Sequence, residues 1–148
     1  MNERGFQLIE LLLVVAILAV AGAIGAGVYS RLTDHYRLQQ GGFQVAGLLR
    51  SARTLALAGA APLEVVPGPD GRGLGLRIGQ APPLRWIFLP QQVRLVSAPR
   101  RPLRFFSRGQ AAPAGRFRLQ GRFGSLDVIV APWGRVRQAH VDEEKEAK

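Results

Sequence analysis

The first third of the chain is dominated by one long apolar run. From Leu11 to Val28 no side chain is polar, and Phe6, Leu8 and Ile9 extend the run toward the N-terminus. Eighteen apolar residues in a helix, at ~1.5 Å per residue, approach the thickness of the hydrocarbon core of a bilayer. The pattern therefore predicts a transmembrane helix over residues 6–30.

Residues 29–62 keep a helical period but become amphipathic. Apolar residues recur at spacings of three and four, which predicts one buried helix face, and Arg50 and Arg53 are expected on the other side. Pro62 should end the helix, and Gly41-Gly42 is a candidate bend. We therefore predict one long helix, roughly residues 6–59. The predicted buried residues are Val45, Leu48, Leu49, Ala52, Leu55 and Ala56.

After Pro62 the period changes to the alternation of half-buried strands. Eight segments fit, separated by Pro- and Gly-containing turns: 63–67, 73–78, 84–89, 92–96, 103–106, 115–120, 125–131 and 134–141. The fold class is therefore α+β, a long helix packed on an antiparallel sheet. Three strands are expected to bury one apolar set each: Leu84, Trp86 and Phe88; Phe117 and Leu119; Leu126, Val128 and Val130.

The charge balance adds a strong basic bias. The chain has 148 residues, no cysteine and a net charge of +10, and eighteen of its twenty basic residues are arginine. Between Tyr36 and Val141, sixteen arginines face three acids, which gives 16 − 3 = +13. Such a surface attracts nucleic acid, anionic lipid or an acidic partner. Alternatively, the arginines are ordinary surface residues of strands, used in place of lysine because the genome is GC-rich. Residues 142–148 form a charged tail without apolar periodicity, which we expect to fray.

Glu10 is out of place at the head of an apolar run. A cleaved secretory signal would have a more basic start and an uninterrupted apolar core. A plain signal anchor has no use for Glu10 either. An ionisable side chain in a membrane helix is costly, and therefore indicates a function.

The segment Gly5-Phe6-Gln7-Leu8-Ile9-Glu10-Leu11 resembles the processing site of type IV pilins and type II secretion pseudopilins. The resemblance implies a leader of residues 1–5 and cleavage by prepilin peptidase between Gly5 and Phe6. Phe6 would then be N-methylated, and Glu10 matches the glutamate of the family. Gln7 departs from the pattern, since threonine is frequent there, and the family's helix-breaking proline is replaced by a region containing Gly22, Gly25 and Gly27.

Physical chemistry suggests a role for Glu10. Its carboxylate can pair with the N-terminal ammonium of a neighbouring subunit, because a paired charge is tolerated in an apolar environment where a lone one is not. Such a pair would set the axial register of a filament. The alternative is that Glu10 only extends to the lipid headgroups.

Later motifs resemble the H-type minor pseudopilins of type II secretion, the GspH/FimT group. They are Ala52-Arg53 followed by Ala56, then Phe105 and Gly109, then Gly134-Arg135-Val136. The resemblance implies two β-sheets on the long helix and a place at or near the tip of a pseudopilus. Major pseudopilins carry a calcium loop, for which this head offers no acidic cluster, so no metal or cofactor is expected.

No catalytic constellation is evident, and we expect no enzyme activity. The two histidines are His35 and His140, and Asp34 diverges from His35 on a helix. Ser51 and Ser107 lie in no nucleophile motif, and residues 71–79 do not fit a phosphate-binding glycine loop.

A second function remains open. Some members of the broad family bind DNA through a C-terminal Gly-Arg-x-basic motif, which Gly134-Arg135-Val136-Arg137 resembles. Arg135 and Arg137 would project to one face of a strand and contact phosphates. The patch would be extended by Arg100, Arg101, Arg104 and Arg108. Alternating arginines also protect an edge strand from aggregation.

The sequence therefore predicts a minor pseudopilin of type II secretion, with a type IV pilus minor pilin that captures DNA as the alternative. The helix of residues 6–30 would cross the inner membrane, and residues 31–141 would form a periplasmic pilin-like head. Expected partners are other pseudopilins, prepilin peptidase and exported proteins, with DNA only in the alternative.

Overall fold

The computed structural model describes residues 3–59 and 61–141, with side chains from Leu8 onward. Residues 1–2 of the predicted leader and the predicted tail, 142–148, lie outside the described residues. Helix α1 spans Glu3–Leu57 and ends two residues before the expected end at 59. The chain divides after Thr33 into two compact units, of which the second contains all the strands.

The first unit is the apolar part of α1. Every described side chain from Leu8 to Tyr29 is exposed, including the large aliphatic ones. Among the described residues, this helix is long and apolar enough to cross a membrane by length and composition. No described residue covers this surface, and an apolar surface of this size is typical of a site that contacts lipid or protein.

The second unit begins with the remaining part of α1, from Asp34 to Leu57. Its buried face consists of Leu38, Val45, Ala46, Leu48, Leu49, Ala52 and Ala56, which confirms most of the predicted positions. Leu55 was predicted to be buried but is 46% exposed. The reason is rotational, since consecutive helix residues point ~100° apart and Ala56 already occupies the inward direction.

Within the described residues, nine strands form two antiparallel sheets. Their bounds are β1 Leu63–Pro67, β2 Gly73–Ile78, β3 Arg85–Phe88, β4 Arg94–Ser97, β5 Leu103–Phe105, β6 Ala111–Ala112, β7 Gly115–Gly121, β8 Gly124–Val130 and β9 Val136–Val141. One sheet has the order β3-β2-β1-β5-β6 and the other β4-β7-β8-β9. The fold class and the two sheets are confirmed, whereas the two-residue β6 was not predicted.

The inward faces of both sheets form one core with the helix. Phe117 and Leu119 of β7 are buried, and so are the predicted residues of β8, Leu126, Val128 and Val130. The five-stranded sheet adds Leu63, Val65, Leu74, Leu76, Leu103 and Phe105. Strict alternation along these strands explains why their inward sets could be predicted.

In β3, the face that was predicted to be buried is the exposed one. Trp86 and Phe88 do share a face with Leu84, but these side chains are 41%, 74% and 62% exposed. Ile87 instead packs against the core. In the register of the sheet, Trp86 lies opposite Gly75 and Phe88 opposite Gly73. The aromatic rings of the edge strand β3 therefore cover the glycine backbone of the neighbouring strand β2 on the outer face of the sheet.

The glycine pair Gly41-Gly42 does not interrupt α1 but forms a close contact between the helix and the sheet. The helix continues through Gly41 and Gly42, and both residues are buried. A Cβ on Gly42 would stand 2.6 Å from Leu126 Cδ2, and one on Gly41 would stand 3.2 Å from Val93 Cγ1. The absence of side chains lets the helix backbone approach the four-stranded sheet closely.

Candidate functional site

The predicted processing and assembly residues lie in the first turns of α1. Gly5 and Phe6 belong to the helix, but their side chains lie outside the described part of the structure. Glu10 is exposed, one helical turn beyond Phe6. Among the described residues, no basic group forms an ion pair with Glu10. Its carboxylate thus stands at the start of an uncovered apolar segment, available to a partner from outside the chain.

Most carboxylates of the described head are buried and form ion pairs with arginine. Asp34, Glu64 and Asp127 are 6%, 4% and 3% exposed. Each accepts from arginine: Arg37 Nη1 lies 3.3 Å from Asp34 Oδ1, and Arg77 Nε lies 3.0 Å from Glu64 Oε2. Charge-assisted bonds of this kind satisfy a buried carboxylate that would otherwise be strongly disfavoured.

The two sheets repeat this arrangement. Arg104 of β5 donates to the second oxygen of Glu64, so this carboxylate of β1 is held from both neighbouring strands. On the other sheet, Arg118 Nε lies 3.0 Å from Asp127 Oδ1 and Arg116 Nη1 lies 3.2 Å from Asp127 Oδ2. The outer face of each sheet therefore has one carboxylate, and arginines cover it.

Burial of the acids leaves the exposed surface almost uniformly basic. Among the described residues from Asp34 to Val141, Asp70 is the one exposed carboxylate. Twelve arginines are exposed over the same range: Arg50, Arg72, Arg85, Arg94, Arg100, Arg101, Arg104, Arg108, Arg116, Arg122, Arg135 and Arg137. The basic bias predicted from the composition is thus present at the exposed surface of the described head.

The arginines that were predicted to form one patch lie on several segments of the head. Arg137 lies on the outer side of β9, in the four-stranded sheet, and Arg135 lies in the turn that precedes it. Arg100 and Arg101 lie in the connection between β4 and β5, where Arg101 and Arg104 line one groove. The structure thus groups Arg101 with Arg104 in one groove, and a patch shared with Arg135 and Arg137 stays a prediction.

The family-like motifs of the sequence meet at one point. Gly109 and Gly134 both have φ +76°, and a Cβ on Gly134 would clash with the carbonyl oxygen of Gly109. The Arg53 side chain lies against both glycines, and its Nε donates to the Gly109 carbonyl oxygen at 3.2 Å. Arg53 is therefore half-buried and not on the solvent side as predicted. We call Arg53, Gly109 and Gly134 the helix–turn clamp.

The two histidines also meet. The rings of His35 on α1 and His140 on β9 are stacked, with centroids 5.7 Å apart and an interplanar angle of 11°. Asp34 is buried and His35 exposed, so the two side chains diverge as helix geometry predicts. The described residues contain no group of three or more His, Asp or Glu side chains that could hold a metal ion. No sequence signal pairs residues 105 positions apart.

A long helix with an exposed apolar start and two small sheets packed on its second half is the architecture of a pilin. Two crystal structures of the type IV minor pilin FimU from Pseudomonas aeruginosa strain PAO1 have this fold. Their TM-scores are 0.61 and 0.57, with 19% sequence identity, and the matches cover 73% and 69% of this chain and 92% of FimU.

In sequence, the chain is similar to Type II secretion system protein H of Xanthomonas campestris pv. campestris. The two are 38% identical over 69 residues, which is 47% of this chain and 41% of that protein. The match thus spans less than half of the relative's length. No protein-family model matches the chain. The two likenesses confirm the resemblance to H-type pseudopilins and pilin-like proteins, and support a structural role as a pilin or pseudopilin subunit.

Proposed function

We propose that this protein is a minor pseudopilin of the type II secretion system, a non-enzymatic subunit that acts at the tip or in the initiation of the pseudopilus during protein export. The observation that carries the proposal is Glu10, exposed and without an ionic partner among the described residues, at the start of a helix that the chain leaves uncovered. The similarity to Type II secretion system protein H supports the choice of system.

Processing prepares the N-terminus for assembly. Prepilin peptidase cleaves between Gly5 and Phe6, and methylation of the new Phe6 amine preserves its positive charge. The carboxylate of Glu10 in one subunit then pairs with this ammonium in the next. A charge pair in an apolar filament core is tolerated, whereas either charge alone is strongly disfavoured. The pair therefore fixes the axial register between subunits.

The proposal also assigns a cellular location to each of the two units. Residues 6–30 anchor the protein in the inner membrane, and the head, residues 31–141, lies in the periplasm. The apolar helix surface that is exposed in the isolated chain would be covered first by lipid and then by the helices of other pseudopilins. The head surface remains available for minor subunits and exported proteins.

DNA capture by a type IV pilus minor pilin is the second candidate. The observation in its favour is that Arg135 and Arg137 are both exposed, on a surface whose carboxylates are buried. Phosphate contacts by these arginines would be independent of sequence and would weaken steeply with salt.

The register contact is tested by Glu10→Ala in cells that carry the secretion system. Because the chain has no cysteine, a single Leu13→Cys substitution provides one site for crosslinking to a neighbouring subunit that carries its own introduced cysteine. We expect Glu10→Ala to reduce the crosslinked product at least about tenfold, since the neighbouring ammonium loses its partner.

The same samples test processing by mass spectrometry. Both variants should lack residues 1–5 and carry a methyl group on Phe6, so that loss of crosslinking reflects assembly alone. A Glu10→Ala protein that crosslinks as well as the Leu13→Cys parent would refute the register contact. An uncleaved parent protein would refute the pseudopilin assignment.

A further inference from the structure

A groove lies on the outer side of the five-stranded sheet, beside its edge strand β6. Its volume is about 450 Å³, and it is lined by Arg101, Pro102, Arg104, Phe106, Ala112 and Pro113. Two guanidinium groups thus share a concave surface with four apolar residues. A second groove of similar volume also holds two arginines, Arg72 and Arg94, but its lining includes the amides of Gln91 and Gln92, whereas the remaining lining of the β6 groove is entirely apolar.

The two arginines of the groove differ in how many of their N–H donors are already used within the head. Arg101 is exposed and forms no ion pair with any described residue. Arg104 donates to the buried Glu64, but half of its side chain, 53%, remains exposed. A guanidinium has five N–H donors in a planar fork, so one bond to Glu64 leaves donors directed elsewhere. Both side chains are therefore competent to bind a carboxylate.

Apart from Glu64, which accepts from Arg104, no acid of the described head pairs with these two arginines. Glu64 is the carboxylate nearest to the groove in the sheet register, and Arg77 and Arg104 already hold it below the surface. Asp70 is the exposed carboxylate of the described head, and its Oδ1 accepts from the backbone N–H of Arg72 in a distant turn. An anion that enters the groove meets attraction without a competing negative charge.

From this geometry we infer that the groove is a docking site for an acidic segment of a partner protein. The Asp or Glu carboxylates of that segment bind Arg101 and Arg104, and a neighbouring apolar side chain packs on Phe106 and Pro113. The apolar lining favours a peptide over a nucleic acid, because three of its four apolar residues, Pro102, Ala112 and Pro113, are aliphatic and suit an aliphatic side chain, whereas bases bind by stacking on aromatic rings, of which this lining has one. The inference concerns binding by the head and holds in either secretion or pilus assembly.

The test is a direct binding measurement with the full chain in detergent. The probe is a short fluorescent peptide in which Glu and Leu alternate, followed by anisotropy. One control peptide replaces each Glu by Gln, another replaces each Leu by Ser, and a labelled single-stranded oligonucleotide tests phosphate. The variant is Arg101→Glu, and the matched control is Arg50→Glu, which makes the same charge change at an exposed position of α1 outside the groove.

We expect Arg101→Glu to weaken binding of the Glu–Leu peptide at least about tenfold, because a charge-assisted contact becomes a repulsion. Arg50→Glu should change the affinity less than about twofold. Both control peptides should bind more weakly than the Glu–Leu peptide. Since Arg101 supports no other described side chain, a folding defect is not expected, and the thermal midpoint verifies this.

Three outcomes would overturn the inference. Equal weakening by Arg101→Glu and Arg50→Glu would show a diffuse positive field and no site. Equal binding of the Gln–Leu peptide would show that carboxylates are not recognised. Tighter binding of the oligonucleotide, lost in Arg101→Glu and steeply dependent on salt, would assign the groove to phosphate polymers.

Discussion

Arg53 holds the end of α1 to both sheets through backbone contacts. Its guanidinium donates to the carbonyl oxygen of Gly109, in the turn before β6, and lies against Gly134, in the turn before β9. The Ala111 N–H also donates to the Pro132 carbonyl oxygen, which joins the same two segments. The helix–turn clamp therefore connects three elements at one end of the head.

Gly134→Ala should destabilise the head more than Gly79→Ala. Both glycines have positive φ, 76° and 53°, so alanine costs about 1–2 kcal/mol of backbone strain at either position. A Cβ at Gly79 meets nothing within 4 Å, whereas one at Gly134 meets the Gly109 backbone. We expect a further ~1–3 kcal/mol of loss at Gly134.

Chemical unfolding of the detergent-solubilised chain measures this difference, with fluorescence of Trp86 and Trp133 as the signal from the head. Gly79→Ala is the control, because it has the strain without the contact. Equal losses in the two variants would mean that the close approach of the two turns contributes nothing.

At this scale the sequence predicted side-chain faces better than side-chain partners. Phe117, Leu119 and the β8 residues follow from alternation alone, which is a local property. In β3, alternation defines two apolar faces, and only tertiary packing selects Ile87 as the inward residue. The contact of Arg53 with Gly109 joins residues 56 positions apart, and no local pattern encodes it.

Helix α1 has one surface for the head and others that the chain leaves open. The glycines of the helix differ in the same way, since some are buried against the head and others are exposed. Gly42 is buried against Leu126 of β8, whereas Gly47, five residues later, is exposed and has nothing within 4 Å of an added Cβ. The same residue type therefore permits close packing at one position and only weakens the helix at the other.

Gly47→Ala should stabilise the head by about 1 kcal/mol, since alanine is the better helix former and no contact opposes it. Gly42→Ala has the same propensity gain, but its methyl group would overlap Leu126 in the core, which costs about 1–3 kcal/mol. Thermal unfolding of the two variants beside the parent chain gives both signs. A Gly42→Ala protein as stable as Gly47→Ala would show that the helix–sheet contact has room for a side chain.

Strand positions were predictable, and strand order was not. The period of two and the Pro and Gly turns locate eight of the nine strands to within about two residues, because both signals are local. Assignment of β5 to the sheet of β1, and of β4 to that of β7, depends on long-range pairing. The two-residue β6 is too short to produce any periodicity. Gly41-Gly42 suggested a bend because helix propensity reports nothing about packing partners.

On the scale of the whole molecule, negative and positive side chains of the described head differ in burial: most carboxylates are buried and most arginines are exposed. Three carboxylates of the described head are buried with arginine partners, and the remaining arginines apart from Arg53 are exposed. Net charge follows from composition, but this sorting does not, because it depends on which strand face each acid occupies. Of the predicted basic residues, Arg101 acquires a specific setting in the groove, whereas Arg135 and Arg137 stand in the open.

In the N-terminal unit, by contrast with the head, the main surface features could be predicted from the sequence. Its apolar surface and Glu10 were evident from the sequence, because a run of this length without polar side chains has few other uses. The structure adds that this surface is exposed among the described residues. The exposed apolar surface and Glu10 are the features on which the proposed assembly of the helix with neighbouring subunits depends.

The most direct measurement scores protein export and uptake of labelled DNA side by side in a strain that lacks this gene. The strain is complemented with the parent chain, with Glu10→Ala, or with Arg135→Ala/Arg137→Ala. The account predicts that export alone is lost, and that the parent and the double arginine variant restore it while Glu10→Ala does not. Loss of DNA uptake, restored by the parent but not by the arginine variant, would contradict it and assign the protein to a DNA-capturing pilus.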